Sequence, residues 1–172
     1  MKIRQERKSD EGEVYELVKT SFATASHSDG TEADYLNEVR KKPEFIEQLS
    51  LVAQDEGGKI VGQIVLYKAD ISTKNGPVTE LVLSPICVHP DYFRRGIARE
   101  MMEKAFEIAR VMGYKAVFLC GDAELYRKLG FVPSYEYDIY HVDDAHKNAQ
   151  WCMAYELVSG ALDGVSGTVD IL

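Results

Sequence analysis

The residues with the most chemical promise form one run, Val88-His89-Pro90-Asp91-Tyr92-Phe93-Arg94-Arg95-Gly96-Ile97-Ala98-Arg99. An apolar stretch ends there, a turn follows, and a helical pattern opens on small and basic residues. The first turn of a helix presents backbone N–H groups without an intrahelical acceptor, at the positive end of the helix dipole. Gly96 and Ala98 leave that main chain nearly bare, and Arg94, Arg95 and Arg99 add three positive charges within six residues. Together these features suit a phosphate or diphosphate site at a helix N-terminus. The plainer reading is a strand-to-helix turn with solvated arginines. Neither G-x-x-x-x-G-K-[ST] nor a G-x-G-x-x-G following a strand occurs, so any nucleotide is held in another way.

Other chemistry-bearing residue types form weaker patterns. Cys87, Cys120 and Cys152 are odd in number and widely spaced with no C-x-x-C pair, and they read as reduced thiols in or near the core. His141 and His146 with Asp143 and Asp144 suggest a metal only superficially, because no second set of ligands accompanies them, and no metal is expected. His89 belongs to the turn and reads as structural. The 172 residues carry 20 Lys plus Arg against 28 Asp plus Glu, a net charge of −8, which argues against a nucleic-acid partner. No apolar run approaches the roughly 20 residues of a membrane span. The start, Met1-Lys2-Ile3-Arg4-Gln5, lacks a hydrophobic signal core, so a cytoplasmic chain without a membrane partner is expected.

The elements that must position the run follow from periodicity. Residues 2–7 read as a strand; Asp10 and Glu13 resemble a capping box ahead of a helix marked by Val14, Leu17, Val18 and Phe22. Thr31 opens a second helix, and Pro43 starts a further helical turn through Ile46 and Leu49. Strands are expected at 51–53, 59–71 and 80–88; Pro85 cannot donate to a ladder, which predicts a bulge or the end of pairing there. A helix over 97–112 stops at Gly113, a buried strand occupies 116–120, and Asp122 caps a brief helix closed by Gly130. Strands near 135–142 and 150–157 complete the pattern, with Trp151, Met153, Tyr155 and Leu157 alternating. The last dozen or so residues, rich in glycine, read as an irregular tail. The expectation is a single domain over 1–172 of α+β (mixed α/β) class. Its mostly antiparallel, twisted sheet carries one parallel strand pair, made by the crossover through the long helix, and is flanked by helices.

Residues 84–99, with Gly130-Phe131 downstream, resemble the GNAT superfamily of acyl-CoA-dependent N-acetyltransferases. Its hallmark is Gln/Arg-x-x-Gly-x-Gly/Ala at the start of the central helix, after a strand ending in Val-His-Pro or similar. Gly96, Ile97 and Ala98 after Val88-His89-Pro90 match it, while Phe93 stands at the first position in place of Gln or Arg. The family holds the pyrophosphate chiefly through main-chain amides, so the resemblance implies that this departure would trim affinity more than abolish binding. A second motif, Gly121-Asp122-Ala123-Glu124-Leu125-Tyr126-Arg127-Lys128-Leu129-Gly130-Phe131, resembles the family segment in which a tyrosine precedes Gly-Phe by four residues. In element order the resemblance covers nearly the whole chain, including the bulged strand at Pro85, where the parallel pair is expected to splay.

The resemblance implies acetyl transfer from acetyl-CoA, as co-substrate, to a primary amine of a small-molecule or peptide acceptor. Gly96, Ile97 and Ala98, with Arg94, Arg95 and Arg99, would hold the diphosphate. Pantetheine would lie between the diverging strands, paired with the main chain of Ile86, Cys87 and Val88. An N–H near Val88 would polarise the thioester and stabilise the tetrahedral oxyanion. Tyr126 would protonate or hydrogen-bond the leaving thiolate, and Glu80 would take the amine's proton directly or through water. His27 and Glu32 are candidates to line the acceptor pocket. The resemblance allows a homodimer. A catalytically silent acyl-CoA sensor of the same fold stays open beside the enzyme.

Overall fold

Leu17 and Val18 recur one turn after Val14 and are buried with it, which sets helix α1 (Glu11–Phe22) down on its apolar face. The computed structural model describes residues 1–26 and 28–171. Their contacts group into two units, Met1–Tyr67 with Ser84–Ile108, and Lys68–Leu83 with Ala109–Leu172.

In the first unit, β1 (Lys2–Gln5) pairs antiparallel with β2 (Phe45–Gln54) from Lys2↔Gln54 to Gln5↔Leu51. Strand β2 pairs antiparallel with the first part of β3 (Ile60–Thr73), with Ser50↔Val65 and Ala53↔Gly62 in register. Helices α1 and α2 (Glu32–Arg40) bury Val14, Leu17, Val18, Ala33 and Leu36 against Val52, Val65 and Cys87. Each of these Val and Leu side chains contributes about 1.5–3 kcal/mol when fully buried. Helix α3 (Ile97–Val111) rests on the strands where Gly62 lacks a side chain: a Cβ there would lie 2.9 Å from Met101 Cε.

Two expectations are corrected in this unit. Residues 45–49 are strand, not a helical turn after Pro43. Ile46 and Leu49 are buried and Phe45 pairs with Tyr67 of β3, and this tertiary pairing outweighs the local helical spacing. Asp10 does not cap α1 with its side chain. Its carboxylate takes a bidentate grip from Arg4, at 2.7 and 3.1 Å, and accepts the Arg7 N–H at 2.7 Å. Glu13 reaches away from the helix to accept the Ile60 N–H at 2.8 Å.

In the second unit, the first half of β4 (Gly76–Val88) runs parallel to β5 (Ala116–Cys120), with Leu81↔Val117 and Val82↔Phe118 in register. That ladder ends before Pro85, as expected of a residue without an N–H. Strand β8 (Cys152–Glu156) pairs antiparallel with β5 and with the short β6 (Val132–Pro133). Between β5 and β6, Asp122 caps helix α4 (Ala123–Arg127) by accepting the Glu124 and Leu125 N–H groups.

The expected strand over 135–142 is instead a 3₁₀ turn, Ser134–Tyr137, followed by β7 (Ile139–His141). Asp138 adopts a left-handed conformation between them and breaks the extended run. Strand β8 does not alternate: Cys152, Met153 and Ala154 are all buried, so both of its faces are covered. The glycine-rich end is not irregular either. Residues Gly167–Val169 form β9, antiparallel to Ile71–Thr73 of β3 and parallel to β7. Leu162, Val169 and Ile171 are buried there. A Cβ on Gly167 would stand 2.1 Å from the Ser72 carbonyl oxygen, so the composition that suggests disorder instead permits a close backbone approach. The class is α+β as expected, with antiparallel pairs predominating and β4–β5 and β7–β9 parallel.

Candidate active site

The run from Val88 to Arg99 lies wholly in the first unit. The His89 N–H donates to the Val61 carbonyl at 2.8 Å, which fixes the edge of β4 that faces β3. Successive residues of a strand direct their main-chain groups to opposite edges, so Val88 and Ile86 turn theirs to the other edge. Cys87 points its side chain into the core under α1 and α2, where burial pushes the thiol up to about 12. Its thiol is therefore unavailable to a ligand.

Past His89 the chain makes a 3₁₀ turn, Pro90–Tyr92, in which His89 Nδ1 accepts the Asp91 N–H at 3.2 Å. Tyr92 is the turn's anchor. Its hydroxyl donates to Asp55 at 2.8 Å, and Asp55 also accepts the Lys59 N–H in the β2–β3 turn. Arg95 stacks over the Tyr92 ring at 4.8 Å and donates to the Asp91 carbonyl, so its charge is held beside the loop. Tyr92 stands in the run read from the sequence without its anchoring role, and Asp55 escapes that reading except as the residue before the turn signal Glu56-Gly57-Gly58.

Arg94 and Gly96 have φ of 62° and 77°, in the left-handed region that glycine tolerates best. A Cβ on Gly96 would meet nothing within 4 Å, so the space before the helix is open. The first helical bond of α3 runs from the Glu100 N–H to the Gly96 carbonyl, so the Ile97 and Ala98 amides precede any intrahelical acceptor. Ile97 itself is 3% exposed and seats the turn, while Phe93, Arg94, Arg95 and Arg99 lie on the surface. This is a helix N-terminus behind an open left-handed loop, with cationic side chains at the surface beside it, suited to a polyanion. Of the acceptor candidates, Glu32 is half-buried in the first turn of α2, and His27 lies outside the described residues.

Glu80 and Tyr126 belong to the second unit, at opposite ends of β5. Glu80 is 8% exposed, and its Oε2 accepts the Lys115 N–H at 2.8 Å and the Ala116 N–H at 3.0 Å, at the strand's start. Tyr126 follows the strand's other end. Four residue steps along β5 span about 13 Å, so the two are not brought together. The Tyr126 ring lies on the bare face of Gly121, where a Cβ would come 2.7 Å from its Cε2, and edge-on to Phe131 at 5.7 Å. The phenol is closely surrounded by protein, and this burial, aided by Asp122, pushes its pKa up to about 12.

The histidine near the C-terminal strands is committed: His141 Nδ1 accepts the Asp143 N–H and Nε2 bonds the Ile171 carbonyl. Among the described residues no group of three His, Cys, Asp or Glu side chains is placed to hold a metal ion, and no helix is long and apolar enough to cross a membrane.

The parallel β4–β5 pair and a long helix opening on a left-handed basic loop fit the class expected from the sequence, the acyl-CoA-dependent acetyltransferases. Residues 2–134 match the acetyltransferase (GNAT) domain model. The chain belongs to the GNAT family, whose members are acetyl-CoA-dependent acyltransferases. It is similar to the uncharacterized N-acetyltransferase YhbS of Escherichia coli K12, 27% identical over 170 residues that span 99% of this chain and 95% of the relative. A second Escherichia coli K12 relative, the uncharacterized N-acetyltransferase YjhQ, is 30% identical over 126 residues, 73% of this chain and 66% of that one. Among solved structures, Escherichia coli YhbS in complex with CoA superposes with a TM-score of 0.85 at 24% identity, covering 99% of this chain and 89% of that one. A GNAT acetyltransferase from Brucella melitensis, in complex with acetyl-CoA, gives 0.77 at 22% identity, covering 99% and 95%. The fold is therefore that of the family throughout.

Proposed function

We propose that this protein transfers the acetyl group of acetyl-CoA to a primary amine of a small-molecule or peptide acceptor, by direct attack through a tetrahedral intermediate. The observation that carries the reading is the loop at the start of α3, with Gly96 left-handed and open to space and the Ile97 and Ala98 amides ahead of the first helical bond. The CoA and acetyl-CoA complexes of the two structural neighbours support the same ligand for it. The amides of Gly96, Ile97 and Ala98, with Arg94, Arg95 and Arg99, bind the diphosphate. The main chain from Ile86 through Cys87 to Val88 aligns the pantetheine, and the Val88 N–H supports the developing oxyanion.

Tyr126 acts on the departing sulfur as a hydrogen-bond donor that keeps its proton. A thiol ionises near 8.5, and against a phenol at about 12 full transfer is uphill by roughly 3.5 units, about 5 kcal/mol. Glu80 is assigned as the anchor of the β5 start, not as the base, because its carboxylate is engaged with two backbone amides. The amine's proton then leaves through water. Glu32 and His27 remain candidates for the acceptor pocket, and the setting proposed is cytoplasmic.

The test combines calorimetry of CoA binding with thiol release from acetyl-CoA over a panel of amines. Gly96→Glu, which sets a carboxylate into the anion site, is expected to abolish measurable CoA binding, while Gly96→Ala, which carries the same left-handed backbone strain without the charge, weakens it less. Unchanged affinity in Gly96→Glu overturns the loop assignment. Tight CoA binding with no thiol release for any amine overturns the catalytic reading and leaves a sensor.

A further inference from the structure

Cys120 and Cys152 have no part in the chemistry above, yet the β5–β8 ladder sets them directly opposite each other. Their position in the ladder follows from the flanking bonds. The Gly121 N–H donates to the Trp151 carbonyl at 2.9 Å, and the Leu157 N–H donates to the Lys115 carbonyl at 2.7 Å. Hydrogen-bonded and non-hydrogen-bonded pairs alternate along an antiparallel ladder, which makes Cys120–Cys152 a non-hydrogen-bonded pair. Such pairs hold their Cα atoms about 4.5 Å apart with side chains at closest approach, inside the range of about 4.4–6.8 Å that a disulfide spans.

The sulfurs already interact. Cys120 Sγ donates to the Ile171 carbonyl oxygen at 3.8 Å, and its interaction with the facing Cys152 thiol raises the Cys120 pKa and lowers that of Cys152. The Ser134 hydroxyl donates to Cys152 Sγ at 3.2 Å, a second contact that favours negative charge on that sulfur. Cys152 is 1% exposed, whereas Cys120 is only half-buried and is the sulfur that a small oxidant reaches. Cys87 offers no comparable chemistry: it lies in the other unit, and its buried thiol is held neutral.

We propose that Cys120 and Cys152 form a reversible disulfide site, closed by a hydroperoxide and reopened by a dithiol. The thiolate attacks the terminal peroxide oxygen, the O–O bond breaks, and a sulfenic acid forms with an alkoxide or hydroxide that takes up a proton. The second sulfur then attacks the sulfenic sulfur, the S–S bond forms, and the hydroxyl leaves as water with the second thiol's proton. Two thiols are oxidised by two electrons, and the peroxide is reduced by the same two. The bridge sits one residue before Gly121, the seat of the Tyr126 ring.

The experiment treats the folded, reduced wild-type protein with hydrogen peroxide, then with dithiothreitol, and follows intact mass and peptide maps. The expected result is loss of two hydrogens and one linked pair of peptides carrying Cys120 and Cys152, both reversed by the dithiol. Cys87→Ser keeps the link, and Cys120→Ser or Cys152→Ser removes it. Because the wild-type chain gives the decisive mass, poor folding of a variant does not blunt the test. The proposal is overturned if peroxide leaves both thiols intact, drives them separately to sulfinic acids, or yields a bridge that includes Cys87. The readout is independent of acetyl transfer, so the two readings fail separately.

Discussion

Replacing Glu80 separates a structural carboxylate from a catalytic one. Its Oε2 serves two backbone amides, Lys115 and Ala116, in a setting only 8% exposed. Glu80→Gln keeps the shape and one acceptor oxygen for both amides but removes the charge. Bonds to a charged group contribute about 1.5–3 kcal/mol against about 1 kcal/mol for neutral ones, so the pair loses about 2 kcal/mol. Glu80→Ala leaves two sheltered N–H groups without an acceptor, at about 1–3 kcal/mol each, or about 4 kcal/mol together. For a chain of this size each kcal/mol moves the melting temperature by about 2–4 °C, giving falls of about 6 °C for Gln and about 12 °C for Ala. Thermal unfolding and steady-state thiol release are measured on the same preparations. An anchor predicts that Glu80→Gln melts earlier while kcat at saturating amine changes by no more than a few-fold. A proton acceptor predicts the reverse, a loss of about 10²–10⁴ in kcat with the acidic limb of the pH profile gone. A Glu80→Gln protein that melts like wild type and has lost a hundredfold or more in kcat would refute the anchor.

Tyr126→Phe removes one hydrogen bond to a developing thiolate, worth about 1.5–3 kcal/mol, and is expected to lower kcat by about 10–100-fold with the KM for acetyl-CoA unchanged. Because the folded phenol is raised to about 12, its contribution to stability is complete below the unfolded value of about 10 and is lost as pH rises through about 12. Alkaline urea titrations of wild type and Tyr126→Phe should diverge only in that window. Asp10 has the opposite sign: the Arg4 guanidinium holds its carboxyl below the usual range, so its contribution is present above about pH 4 and is lost as pH falls through the lowered value. Asp10→Asn should flatten the fall in urea midpoint between about pH 6 and pH 3. Gly167→Ala forces a Cβ to within 2.1 Å of the Ser72 oxygen, and chemical denaturation is expected to show a loss of about 3 kcal/mol as β9 detaches.

The parts of the fold legible in the sequence are those fixed by local pattern. The apolar face of α3, the bounds of β5 and the Asp122 cap of α4 all depend on neighbours a few residues away, and periodicity suffices to place them. What escaped depends on partners far along the chain. Residues 45–49 became strand because β3 supplies pairing, and the glycines after residue 160 became ordered because Gly167 must touch Ser72. The same division holds at the candidate site. The loop residues around Gly96 carry a compact motif, so their types and spacing display it. Asp55 steadies that loop through Tyr92 across a gap of 37 residues, and Glu80 meets Lys115 across 35, so neither relationship leaves a periodic trace. A lone glutamate early in a strand has the same appearance whether it moves protons or ties down amides. Only its hydrogen bonds distinguish the two.

The interleaving of the two units along the chain bears on the order in which the protein can take shape during synthesis. Every residue of the first unit has been polymerised once Ile108 is added, whereas Ile71, Ser72 and Thr73 must wait for residues 167–169 to find their last strand partner. A nascent chain leaving the ribosome therefore carries an unfinished β edge for roughly the time taken to translate its second half. The arginine-ringed loop is complete long before that edge is sealed. Substitutions that slow closure of the second unit should show up as aggregation of newly made chains before they show up as weakened ligand binding.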